Sequence, residues 1–222
     1  SRELVMADVV GVSRGYEQRR LATLDELTEA HFAVASVQAA AQRTMPPEAL
    51  KAAIVSLATG ETAPLDELAQ SLTRAGYERC VQVEGTGQFS IRGGILDVFP
   101  PQAEHPYRVE FWDDEIDSIS TFDVGSQRRL EQCECLRCLP CMESIPALAK
   151  AVLALTSTRR KKQHADLQAN LERDAERLRE TGSLPAADKY MPLIYPEMAT
   201  AFDYLPENAI VIIEDTPRLR DA

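Results

Sequence analysis

At 222 residues the chain is long enough to bury a core as one large domain or two small ones, and 45% hydrophobic against 27% charged residues argues against disorder. A formal net charge of −11 speaks against a dedicated nucleic-acid binder, because phosphate neutralisation needs clustered Lys and Arg. No apolar run approaches the roughly 20 residues that span a bilayer, and Ser1-Arg2-Glu3 does not open a basic-then-apolar signal, so a soluble cytoplasmic protein with no membrane contact is expected.

The chain starts without methionine on what reads as the middle of an element, which suggests a piece of a longer protein. Residues 14 to 30 have helical periodicity, with Tyr16, Leu21, Leu24 and Leu27 near one face. "HFAVASVQAA" then reads as a buried strand running into a short helix toward Gln42, and Pro46-Pro47 opens another short helix. A break follows at Gly60. From Pro64, Leu65, Leu68, Leu72 and Ala75 recur at helical spacing and Gly76 supplies the stop.

"ERCVQVEG", "GQFSIRGG" with "ILDVFP", "YRVEFW" and "EIDSISTFD" follow as strands, the last after an Asp113-Asp114 turn. The expectation is an antiparallel meander with one helix packed on it over residues 60 to 142. Gly93-Gly94 suggests a bulge or a close backbone approach that re-aims Arg92. Between Ala58 and Met142 there are 7 Arg and no Lys against 15 acids, a local net of −8, so any arginine there works as an individual anchor. Beyond Met142, residues 163 to 180 form a charged amphipathic helix with Leu167, Leu171, Ala175 and Leu178 aligned, ended by Gly182. "AIVII" at 209 to 213 is consistent with a strand buried on both sides.

Alternation along "YRVEFW" puts Tyr107, Val109 and Phe111 on a core face and Arg108, Glu110 and Trp112 on the other. The single tryptophan of the chain therefore stands on the side that should be wet, framed by ions. Arg and Trp are enriched among interface hot spots, so that face is a candidate interface. Arg108 could instead pair with Glu110 or a cross-strand acid, and Trp112 could lie under the helix at 65 to 75.

Catalytic signatures are missing. There is no Gly-x4-Gly-Lys-[Ser/Thr] loop, so "VIIED" and "WDDEID" are acids at strand ends and turns, without a phosphate loop to serve. His31, His105 and His164 have no partner at triad or metal spacing, and no Gly-x-Ser-x-Gly elbow occurs. No catalysis and no cofactor are expected. Cys133-x-Cys135-x2-Cys138-x2-Cys141 could converge on zinc, or could be a strand using small apolar cysteines before Pro140. A zinc-binding or nucleic-acid-binding module thus stays open beside the interface reading.

"FSIRGGILDVFP", "PYRVEFWDDEIDSI" and "FDVGSQR", in that order, resemble the bacterial transcription-repair coupling factors (Mfd), in the N-terminal region that is similar to the excision-repair protein UvrB. The likeness continues more weakly through "SRGYEQRRLATLDELT" before it and "LPAADKYMPLIYP" and "FDYLPENAIVI" after it. The resemblance implies an α/β fold, a degenerate RecA-like layer (UvrB-like domains 1a and 1b) with an inserted small antiparallel-sheet α+β domain. By this comparison residues 1–57 are the end of domain 1a, 58–142 the UvrA-binding domain 2, and 143–222 the domain 1b segment returning to the first domain. The implied partner is UvrA, met by Arg92, Arg108 and Trp112, the last standing where the family more often has Phe. RNA polymerase, DNA and the ATP-driven translocase motor belong, by the same resemblance, to regions outside this sequence.

Overall fold

A computed structural model of the chain describes residues 14–143, 172–177 and 190–214. In chain order the elements are α1 (Arg14–Leu27), α2 (Val37–Ala40), α3 (Pro47–Ala53), β1 (Val55–Ala58), α4 (Leu65–Arg74), β2 (Glu78–Arg79), β3 (Gln88–Arg92), β4 (Ile95–Phe99), β5 (Tyr107–Trp112), β6 (Glu115–Phe122), β7 (Arg129–Cys133) and β8 (Cys135–Cys138). A helical stretch α5 (172–177), α6 (Met191–Ile194) and a 3-10 turn at Ala201–Tyr204 complete them. The helix expected over residues 163 to 180 is seen at 172–177, where Ala175 is buried; its remaining residues and Gly182 lie outside the described set.

Six strands form one sheet in the order β2-β3-β4-β5-β6-β7, and β1 pairs with β8 in a separate two-stranded sheet. The meander expected from the sequence holds for β3 to β7, whose neighbours are all antiparallel. Its first strand departs: only Glu78-Arg79 of "ERCVQVEG" is extended, and it pairs parallel to β3. β7 and β8 together take up the cysteine run and its approach, where a single short strand was expected.

One face of the sheet is apolar. Phe89, Leu96, Val98, Val109, Ile116 and Ile119 pack against Leu68 and Leu72 of α4, its capping residue Ala75, and Leu57 and Leu136 of the two-stranded sheet. α4 stops on its glycine for a stated reason: Gly76 at φ +89° adopts the left-handed conformation that a side chain resists. Its N–H donates to the Thr73 carbonyl and that of Tyr77 to Leu72, the paired bonds of a Schellman cap, with Leu72 and Tyr77 meeting in the core. A second core gathers Leu21 and Leu24 of α1 with Met45, Leu50, Met191, Ala199 and Tyr204.

Gly93-Gly94 is not a bulge. The register Arg92↔Ile95 makes it the two-residue loop of a hairpin, with Gly93 at φ +60°, a conformation glycine supplies without cost. The close approach expected there does exist, since a Cβ on Gly94 would stand 3.0 Å from the Phe111 carbonyl oxygen. The irregularity falls instead across β5 and β6, where Glu110 pairs with Ser118 and Phe111 with Ile116, leaving Asp117 as the extra residue.

Two expectations fail. Residues 31–36 of "HFAVASV" and 209–213 of "AIVII" carry no strand; Phe32 is 86% and Ile212 89% exposed. Apolar, β-branched composition selects an extended backbone, but a strand also needs a ladder partner. Neither segment has one among the described residues.

Candidate partner-binding face

The expected alternation along β5 is present. Val109 is buried in the core and Tyr107 and Phe111 pack against it, while Arg108, Glu110 and Trp112 occupy the opposite face. Register then lines up a polar row across that face: Ser90↔Asp97, Asp97↔Arg108, Arg108↔Ser120 and Ser120↔Gln132 on β3 to β7.

Asp97 organises this row. It is 1% exposed, and an uncompensated carboxylate at that depth would be costly. Its Oδ1 accepts from Arg108 Nε at 2.7 Å and its Oδ2 from Arg108 Nη2 at 2.9 Å, a two-pronged carboxylate–guanidinium contact. Arg92 Nη2 donates to the same Oδ2 at 2.7 Å. Arg108 also donates to Gln127 Oε1 at 3.2 Å and stands 4.5 Å from the centroid of the buried Phe122 ring, a cation–π distance. The hydrogen bonds that Arg108 donates to Asp97 raise its pKa above the ordinary value.

Two guanidinium groups thus share one carboxylate, so one positive charge is left over on the face of a strongly acidic unit. Among the described residues Nη1 of Arg108 and Nε and Nη1 of Arg92 donate no hydrogen bond. The Arg92 side chain is 49% exposed and that of Arg108 20%. Beside them Glu110 accepts from Ser118 Oγ at 2.8 Å and pairs with Arg129 at 2.8 Å; the Ser118 bond first, then Arg129, lowers its pKa.

Trp112 stands apart from this clasp. It ends β5 opposite Glu115, 81% exposed, and α4 does not cover it. The structure therefore joins Arg92 and Arg108 on one carboxylate, and leaves Trp112 on the same side of the strand without a partner among the described residues. Asp97, Phe122 and Gln127 were not expected at this site. A signal existed for Asp97: a lone acid inside "ILDVF" must find a cation if the strand is buried, and β5 offered Arg108.

The cysteines do not converge. Cys138 and Cys141 are buried beside Tyr77, Cys133 is half-buried and Cys135 exposed, and no group of three His, Cys, Asp or Glu among the described residues is placed to hold a metal. Burial pushes the Cys138 thiol up to about 12, so it stays protonated at neutral pH, and the thiolate is the reactive form. Ellman's reagent at pH 7.5 is expected to titrate Cys135 in the native protein and Cys138 only after denaturation; equal rates would place Cys138 in solvent.

Residues 55–143 match the family described as the UvrB interaction domain. Along the chain the similarity is to transcription-repair-coupling factors: 34% identity over 99% of this chain and 20% of the Bacillus subtilis (strain 168) protein. That of Haemophilus influenzae is 35% identical over 77% of this chain and 15% of its own length, and that of Escherichia coli (strain K12) 34% over 87% and 17%. The chain spans a fifth or less of the length of these relatives.

Proposed function

The chain belongs to the transcription-repair-coupling factors and carries a UvrB interaction domain, and from that membership we propose that it recruits UvrA to transcription-coupled repair through the face bearing Arg92, Arg108 and Trp112. The observation that carries this reading is the pairing of an anchored, partly exposed arginine clasp with a solvent-exposed tryptophan on one face of the sheet. Interface hot spots favour those residue types, and an aromatic ring left in water gains most from being covered.

In this reading the sheet unit acts by binding alone, without catalysis or cofactor, in the cytoplasm. Residues 58–142 form the UvrA-binding domain, set between residues 1–57 and 143–222 of a degenerate RecA-like layer. The apolar segments at 31–36 and 209–213 have the composition of strands in such a layer. RNA polymerase and DNA are engaged by other regions of the full-length protein.

Calorimetric titration with UvrA tests the proposal. The parent is expected to bind, and Arg92→Ala and Arg108→Ala, checked for folding by circular dichroism, to lose about tenfold or more each, as anchors that meet their partner directly do. Parent-like affinity in both folded variants would move the recruitment site elsewhere.

A further inference from the structure

Asp97 is the one acid on the candidate face that is almost wholly withdrawn from solvent, and both arginines of the recruitment reading end on it. On that reading, we propose that Asp97 is a positioning residue: it touches no partner itself and fixes Arg92 and Arg108 in the geometry that UvrA meets.

Three features support this. Register sets Asp97 directly opposite Arg108 on β5, while Arg92 reaches it from β3, so the two arginines come from strands on either side of the acid. Its two oxygens bind Nε and Nη2 of Arg108, which turns the unbonded Nη1 edge away from the carboxylate. Without the acid, two guanidinium groups would be held close with nothing between them and would repel each other apart.

The chemistry of binding gives the arrangement its use. A solvated arginine has many rotamers, and a partner that captures it must take up the loss of that freedom. A guanidinium clamped during folding has already lost it, and its planar fork then offers donors in one direction. The Phe122 ring under Arg108 and the Gln127 contact restrict the same group further. Asp97 also sets the local charge: the clasp leaves one positive charge, so the face offers donors to an acidic or carbonyl group of UvrA without a basic field.

A double-mutant cycle of Asp97→Asn with Arg108→Ala, read by titration with UvrA and by chemical denaturation, decides the matter. Asp97→Asn is expected to weaken binding by about tenfold, and by clearly less in the Arg108→Ala background, where only the part of its effect that acts through Arg92 remains. Parent-like or tighter binding by folded Asp97→Asn overturns the proposal, as does a loss that simply adds to that of Arg108→Ala. If Arg92→Ala and Arg108→Ala both bind as the parent does, the recruitment reading falls and takes this one with it. If those two lose affinity and Asp97→Asn does not, only the positioning role falls.

Should Asp97→Asn not fold, the parent supplies the answer through its arginine side-chain NMR signals. A slowly exchanging Arg108 Nε–H with hindered guanidinium rotation is expected in the free protein. Fast exchange and free rotation there would rule the clamp out.

Discussion

Glu143→Ala is expected to destabilise the protein by about 3–5 kcal/mol, the range for breaking a buried ion pair by removing one partner. Glu143 is 3% exposed and stands where the sheet unit meets α1 and the second core. Its Oε1 pairs with Arg20 Nη1 at 3.1 Å and its Oε2 accepts from Thr44 Oγ1 at 3.0 Å. Its main chain is held as well, the N–H donating to Glu17 and the carbonyl accepting from Tyr195. Truncation takes from Arg20, whose side chain is 11% exposed and which also donates to the carbonyls of Gln42 and Arg43, the carboxylate it pairs with. Urea denaturation reads the effect as a lower midpoint. Glu143→Gln, which keeps an acceptor for Thr44, should fall between, and Glu143→Leu combined with Arg20→Met should recover part of the loss because the buried pair is then replaced as a unit by apolar side chains. A single Glu143→Ala change that leaves the midpoint unmoved would show that the carboxylate is not buried as described.

The second large effect concerns binding without stability. Trp112→Ala is expected to leave the unfolding midpoint within about 0.5 kcal/mol of the parent, since so exposed a ring has little packing to lose. Affinity for UvrA should nevertheless fall by about 2 kcal/mol, close to thirtyfold, because a covered tryptophan is among the strongest single anchors an interface has. Trp112→Phe should keep most of the affinity, as it retains a flat apolar surface at the strand end. Loss of stability in Trp112→Ala would mean that the ring packs on the fold. Unchanged affinity would remove Trp112 from the recruitment face.

What could be read from the sequence follows the range of the interactions. The stop of α4 at Gly76 was visible because its cause is local, a glycine directly after the capping residue Ala75. The two faces of β5 were visible because side-chain parity needs only a strand, and Val109 and Trp112 ended on opposite sides as alternation requires. The Arg92–Asp97–Arg108 clasp was not, because it depends on the register of three strands, and a shift of one residue would have sent Asp97 to the other face. "AIVII" and "HFAVAS" failed for a related reason: composition favours an extended backbone, whereas a strand exists only when a second chain segment completes its ladder. In the cysteine run, spacing alone left zinc open, and the fold decides the burial of each thiol, with Cys138 and Cys141 inside and Cys135 exposed.

The pairing of β1 with β8 has a mechanical consequence. Val55 lies opposite Cys138, so the chain enters and leaves the sheet unit at one end of the same antiparallel pair. Tension applied between the flanking segments would pull that pair open from this end, one rung after another, together with the bonds from Cys141 N–H to Ala75 and from the Tyr77 hydroxyl to Leu139 that hold the exit. The contacts across the mouth of this zipper, Arg137 to Asp25 at 2.8 Å and Glu143 to Arg20, are therefore its clasp. They add to the force the pair must yield to before the unit would swing free with its core and its candidate face intact.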